Sequence, residues 1–221
     1  MLSGAGLSKA SGIPTYRDTG GLWETGDNLK FSHIDAYKAN PSGFTAFWRA
    51  RQQDIAPARP NAAHRALAKL QQAKPGTTMV TQNVDGLLQS AGCTNVAELH
   101  GNLRDKRCGQ CGRTRWLALG RCLRCGGHVR PNVVLFGEPL DEDMVTATYL
   151  AACKTQLIIV VGTSAVVYPA AEIPVRALRH GAKLIVLDTE PPLLAAAADV
   201  VLQGRAEQLL PELVDRALHT A

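Results

Sequence analysis

The chain begins "MLSGAGLSKASGIPTYRD", residues 1 to 18, and the reading of this stretch decides the reading of the rest. A short apolar start, Met1-Leu2-Ser3, runs into Gly4-Ala5-Gly6 and then into a Ser/Lys/Ala stretch able to open a helix. A strand that turns into a helix through G-x-G directs backbone N–H groups to where a pyrophosphate would sit. The third glycine of a dehydrogenase fingerprint is missing, because Lys9 stands at that position. A nucleotide suits the loop, while hydride chemistry is not implied by it.

Outward from this loop, apolar runs bounded by turn residues read as buried strands at 77–85, 157–162, 183–188 and 199–204. Near-continuous Val/Ile/Leu runs of this kind belong to a parallel sheet covered on both faces. Helical patterns lie between them. "RPNAAHRALAKLQQAKPG" has Asn61 as N-cap, an apolar stripe through Ala63, Leu67 and Leu70, and Pro75-Gly76 as its stop. "PAAEIPVRALRHGAK" and "AEQLLPELVDRALH" read the same way. Alternating strands and helices make an α/β chain with a doubly wound parallel sheet. Two segments depart from it: 24–60 holds helical pieces such as "PSGFTAFWRARQQ", and 104–130 is rich in Gly, Arg and Cys. Together they are expected to form a smaller second lobe.

The 221 residues include 46% hydrophobic and 19% charged, which suits a globular chain with a substantial core. No stretch approaches the roughly 20 apolar residues of a membrane span, so no membrane partner is expected. The first residues lack a basic segment followed by an apolar one, so a reducing cytoplasm is the expected setting. The net charge of +5 suits any anionic partner, and a nucleotide cofactor or a basic protein-binding face explains it as well as nucleic acid does, so the charge alone decides little.

The strongest single motif is "RCGQCGRTRWLALGRCLRCGG", with Cys108-x2-Cys111 followed by Cys122-x2-Cys125. Two CxxC pairs, each followed by glycine, present four thiolates tetrahedrally, as a zinc ribbon requires. Four thiolates leave no position for water or substrate, so the metal is expected to hold the lobe together. Cys93 and Cys153 have no ligand spacing and read as ordinary buried thiols. "TQNVDG" sets Gln82, Asn83 and Asp85 just past a strand, where they serve either an Asx-type turn or a ligand. "VVGTSAVVYP" ends a second strand on Gly162-Thr163-Ser164, and "IVLDTEP" ends a third on Asp188, placed as a ribose-binding acid would be. His100 in "ELHG" precedes a glycine turn directly ahead of the cysteine segment.

Taken in order, "GAGLSKASGIPTYRD", "TQNVD", "LHG", the two CxxC pairs, "RPNVVLFGE", "GTSAVVYPAA" and a strand ending before "EP" resemble the sirtuin family of NAD-dependent protein lysine deacylases, over nearly the whole chain. The resemblance implies a Rossmann-like domain made of 1–23, 61–103 and 131–221. The small lobe would combine the helical module, 24–60, with the inserted zinc ribbon, 104–130. NAD and an acyl-lysine protein or peptide would meet between the lobes. On that resemblance Gly4, Ala5, Gly6, Ser8, Tyr16, Arg17 and Trp23 wrap the cofactor. Gln82, Asn83, Val84 and Asp85 shape the nicotinamide pocket, and Gly162, Thr163, Ser164, Asp188, Thr189, Glu190 and Ala206 take the adenosine side. His100 is the implied base, with Asn83 also catalytic. Val134, Phe136, Gly137 and Glu138 on one edge and Val167 on the other would receive the peptide as an added strand. Cys108, Cys111, Cys122 and Cys125 would hold Zn(2+).

The implied reaction attacks C1′ of the nicotinamide ribose with the acyl oxygen, which agrees with the lack of a serine or cysteine triad signature. His100, with a pKa ordinarily near neutrality, can take a ribose hydroxyl proton. The expected products are nicotinamide, free lysine and 2′-O-acyl-ADP-ribose. A mono-ADP-ribosyltransferase of the same fold and a zinc-ribbon nucleic-acid-binding module are the alternatives. Three departures from the family pattern stand out: few residues precede Gly4, the segment between the CxxC pairs is short, and Asp188 stands where asparagine is usual. Relatives that remove succinyl or malonyl groups carry Tyr-x-x-Arg on one helix face, and the matching pair here is Trp48 and Arg51. Either the pair meets an acyl carboxylate, or Trp48 is core and Arg51 is a solvated surface residue.

Overall fold

The computed structural model describes residues 1–16, 26–114 and 120–219. Its strands are β1 (Leu2–Ser3), β2 (Met79–Thr81), β3 (Val96–Glu98), β4 (Gly101–Cys108), β5 (Gly120–Arg121), β6 (His128–Val133), β7 (Leu157–Val161), β8 (Lys183–Asp188) and β9 (Val200–Gln203). The α-helices are α1 (Gly26–Phe31), α2 (Ile34–Ala39), α3 (Pro41–Ile55), α4 (Ala62–Ala73), α5 (Leu87–Ser90), α6 (Glu142–Lys154), α7 (Glu172–Arg179) and α8 (Ala206–His219). Among the described residues six strands form a sheet of order β3-β2-β1-β7-β8-β9, and its strands pair in parallel throughout.

Period-two alternation sorts the strand side chains to the two faces. Leu7, Leu67, Met79, Val161, Leu187, Leu210 and Val214 form one core, beneath α4 and α8. Leu2, Val80, Ile158, Val160, Leu184, Val186, Ile173 and Ala177 form the other, beneath α6 and α7. Each fully buried Leu or Val contributes about 1.5–3 kcal/mol. The expected cap on α4 is present as a capping box: Asn61 accepts from the backbone N–H groups of Ala63 and His64, and the His64 ring accepts from Asn61 N–H. Sequence patterning did not single out β3 or α6; the latter starts on Asp141, whose carboxylate accepts from Met144 N–H.

The loop after β1 departs from the expected α-helix. Residues Ala5–Ser11 form a 3-10 helix that ends at Gly12, φ 84. Gly4 N–H donates to Val161 O at 3.0 Å, Gly6 N–H to Gly162 O at 2.9 Å and Leu7 N–H to Gly4 O at 3.1 Å. These donors are tied to the neighbouring strand end and to the tight turn, which leaves the four-residue ladder unformed. A Cβ on Gly6 would lie 2.6 Å from Gly162 Cα, and one on Gly162, φ +59, would lie 2.5 Å from Leu7 N. The first two glycines of the motif thus serve the close approach of two loops.

A three-stranded antiparallel sheet of order β4-β6-β5 carries the cysteine pairs, and it reaches slightly past both expected limits of the 104–130 segment. Tyr37, Phe44 and Trp48 of α2 and α3 pack with Leu103, Val133 and Leu135 in a third core. The helical segment thereby lies against the base of this small sheet, and both stand beside the open ends of the parallel strands.

Candidate active site

A cavity of ≈ 640 Å³ opens along the ends of the parallel strands, large enough for a cofactor and part of a second ligand. One wall is made by strand ends: Gly4, Ala5 and Gly6 after β1, Gln82, Asn83 and Val84 after β2, and Gly162, Thr163 and Ser164 after β7. Asp188, Thr189, Glu190 and Ala206 continue it, while Val134, Phe136, Gly137, Glu138 and Val167 lie across it, with Trp48 and Tyr16 at one end. His100 lines the same cavity. Two sequence-derived candidates, Arg17 and Trp23, fall outside the described residues.

Ser8, Asp85 and Arg51 lie in a smaller adjoining cavity of ≈ 60 Å³, shared with Ala5, Tyr16, Trp48 and Asn83. Here the expected polar turn is a closed network. Ser8 Oγ donates to Asp85 Oδ2 at 2.6 Å and accepts from Asn83 Nδ2 at 3.1 Å. Asn83 Nδ2 also donates to Gly4 O, and Asp85 Oδ1 accepts from Leu87 N–H. The turn reading of "TQNVDG" therefore holds: Asp85 caps the next turn while its other oxygen orders Ser8.

His64 joins this network and was not singled out as a site residue. Its Nδ1 accepts the Asn61 N–H, so the proton of the neutral ring sits on Nε2, 3.4 Å from Ser8 Oγ. A histidine three residues after an Asn cap was the available signal in the sequence.

His100 is held from β2. Its Nδ1 lies 3.1 Å from Gln82 O, and a carbonyl only accepts, so Nδ1 carries the proton and Nε2 is the basic nitrogen. Burial lowers its pKa below 6.5, opposed by the Gln82 hydrogen bond. The ring is therefore a neutral base near pH 7. Gln82 in turn donates to Thr163 Oγ1 at 2.9 Å, which ties the strand ends together. The Asp188 carboxylate accepts from Glu190 N–H at 3.1 Å and so shapes its own turn.

Two candidates present less to the cavity than their positions suggested. Glu138 uses Oε1 for Arg130 and Oε2 for Leu135 N–H. Trp48 is 8% exposed and donates Nε1–H to Phe31 O at 2.9 Å.

Apart from the cavity, the Sγ atoms of Cys108, Cys111, Cys122 and Cys125 all lie within 4.8 Å of one another. Cys108 to Cys125 is 3.5 Å and Cys111 to Cys122 is 3.8 Å, close to the about 3.8 Å edge of a tetrahedron with ~2.3 Å Zn–S bonds. Gln110 and Cys111 direct backbone N–H groups at Cys108 Sγ, as a thiolate knuckle does. The donor set fits zinc in a closed four-sulfur shell.

One pH effect follows from the network. Burial, the largest influence, holds the His64 pKa down from 6.5 to about 4, against a raising effect of Asp85 and with a lowering one from Arg65. Between those values the unfolded chain binds a proton that the folded chain does not, so stability falls as pH drops from 6.5 toward 4. Urea midpoints measured across this window should decline more steeply for wild type than for His64→Gln. Equal slopes would contradict the assignment.

The comparisons agree with this geometry. A family model described as Sir2 family matches residues 4–169. NAD-dependent protein deacylase 2 of Pyrobaculum aerophilum is 41% identical over 221 residues, covering 97% of this chain and 89% of that protein. NAD-dependent protein deacylase 1 of Pseudomonas aeruginosa is 39% identical over 232 residues, covering 98% and 93%. A crystal structure of a Sir2 homolog–NAD complex superimposes with TM-score 0.90 at 36% identity, covering 99% of this chain and 88% of that one. A structure of Sir2 with the inhibitor EX-527, 2′-O-acetyl-ADP-ribose and deacetylated p53 peptide gives 0.83 at 31% identity, covering 98% and 92%. Motif order, strand order and full-length similarity converge, and the chain belongs to the Sir2 family.

Proposed function

We propose that this chain is an NAD-dependent protein lysine deacylase. The observation that carries the reading is the single cavity in which strand-end polar groups, the neutral His100 and the 133–137 edge converge. Its relatives bear that activity in their names, and one neighbouring structure holds NAD. We assign 1–23, 61–103 and 131–221 to the NAD-binding domain, and 24–60 with 104–130 to the small lobe.

When bound, NAD would supply an electrophilic ribose carbon, a departing nicotinamide and the hydroxyl that accepts the acyl group. The chain's own residues then have limited tasks. Gly4, Gly6, Gly162 and Thr163 would shape the phosphate and adenosine side, and Asp188 would take the ribose. Asn83, braced by Ser8 and Gly4, orients the nicotinamide end. His100 Nε2 takes a proton from a ribose hydroxyl. The 133–137 edge and Val167 receive the peptide backbone, which gives affinity with little sequence selectivity. Cys108, Cys111, Cys122 and Cys125 would hold zinc in a closed shell, which would stabilise the small lobe and leave no position for the reaction. Six cysteines without a disulfide suit a reducing cytoplasm.

We assign the acetyl group as the preferred acyl group, with weaker removal of succinyl or malonyl. The bland alternative for Trp48 is supported by its burial and its bond to Phe31, which take the indole N–H from a carboxylate. Arg51 borders the small cavity and pairs with Asp54 at 3.2 Å through one nitrogen, leaving further donors in its fork.

Replacing His100 by Ala should lower deacylation by about 10²–10⁴-fold, while NAD still raises the melting temperature as in wild type. Wild-type turnover in the variant would remove His100 from the reaction. In peptide assays, Arg51→Met should lower kcat/KM for succinyl-lysine by about ten- to a hundredfold with little effect on acetyl-lysine. An unchanged succinyl-to-acetyl ratio would leave Arg51 as a surface residue.

A further inference from the structure

Between the ribbon and the cavity lies Arg130 of β6, fully buried and the largest side chain so placed among the described residues. Its NH1 donates to Val133 O at 2.7 Å and its NH2 to Glu138 Oε1 at 2.5 Å. The second oxygen of Glu138 accepts from Leu135 N–H at 3.0 Å. The segment 133–138 is thereby pinned at its first carbonyl, a middle N–H and its last side chain. The guanidinium also lies over the rings of Tyr37, 5.1 Å, and Phe44, 5.9 Å, which fixes it against α2 and α3.

The outer side of the segment is tied as well. Phe136 N–H donates to Ser32 O, Ile34 N–H donates to Phe136 O, and Val134 N–H donates to His100 O. Every one of these bonds sets the path of backbone whose residues Val134, Phe136 and Gly137 face the cavity.

A buried ion pair is a poor device for stability alone. Desolvation offsets its attraction, and well-packed apolar residues of similar volume often serve as well or better. What an apolar pair cannot supply is direction: the planar fork of arginine holds two acceptors at fixed positions, which a lysine cannot reproduce. We infer that Arg130 and Glu138 are positioning residues that hold the 133–137 backbone in the shape that receives the substrate peptide. The inference rests on the deacylase reading. Arg130 touches neither the cavity nor the opposite wall where the cofactor groups stand, so its effect on NAD should be absent.

The test compares wild type with Arg130→Met/Glu138→Leu, with Arg130→Lys and with Glu138→Gln. Acetyl-lysine peptide binding is read by fluorescence anisotropy, KM is measured separately for peptide and NAD, and the NAD-induced shift in melting temperature is recorded. The folded double variant should bind peptide about ten- to a hundredfold more weakly, with a matching rise in peptide KM. Its KM for NAD and its NAD-induced melting shift should stay at wild-type values. Should the double variant not fold, Arg130→Lys and Glu138→Gln, which keep bulk, should show the same split between peptide and NAD. Folded variants with wild-type peptide affinity, or with NAD and peptide affinity falling together, overturn the inference. Wild-type protein that binds no acetyl-lysine peptide overturns the deacylase reading and the clamp with it; wild type that binds while the variants bind equally overturns the clamp alone.

Discussion

Strand β1 is two residues long and is held on both sides, Leu2 against Val80 and Val160, Ser3 against Thr81 and Val161. That register brings the ends of β1, β2 and β7 level, and it puts Gly4, Gln82 and Gly162 side by side. The chain leaves β1 toward β2 on one side and returns as β7 on the other, so the sheet order reverses here. Helices depart to opposite faces at such a point and leave a crevice between them. A slip of one residue would turn Leu2 toward the wrong core and draw the glycine loop out of step with Gly162. Ser3, fully buried, is satisfied by Thr81 Oγ1 at 3.0 Å, which favours the observed pairing over the slipped one.

Around that crevice the polar groups are paid for by mutual hydrogen bonding. Ser8, Asn83, Asp85 and His64 satisfy one another behind the cavity, and Gln82 joins His100 to Thr163 in front of it. Groups fixed before a ligand arrives need little reorganisation when it binds, which suits a reaction that depends on placement more than on a protein nucleophile. Segment 133–138, which follows β6, contributes the other wall. The small sheet that β6 belongs to carries the four-sulfur cluster, and the third core packs Tyr37, Phe44 and Trp48 against Leu103, Val133 and Leu135 beside that segment.

The parts legible in the sequence were those whose cause is local. Apolar runs marked β7, β8 and β9 to within a residue or so, CxxC spacing marked the thiol cluster, and Asn61 marked the start of α4. The three-residue β3 has no fully buried side chain, and the α6 pattern, with Thr148 and Ala152 as its buried residues, is too weak to announce a helix. The 3-10 geometry after Gly4 could not be foreseen, because it depends on Gly162, remote in sequence. Buried Arg130 looked like one more basic residue beside the cysteines, since its partners Glu138, Tyr37 and Phe44 come together only in the folded chain. Candidate site residues were gathered through motif order; which of them face the cavity and which brace those that do required the geometry.

The central claim is that one crevice consumes NAD only when acyl-lysine is present. The direct measurement is nicotinamide release from NAD labelled in its ADP-ribose part, with and without an acetyl-lysine peptide. The account predicts release that depends on the peptide and is stoichiometric with free lysine, with the label recovered in soluble 2′-O-acetyl-ADP-ribose. Release without peptide, with label retained on protein, would contradict it and point instead to ADP-ribosyl transfer.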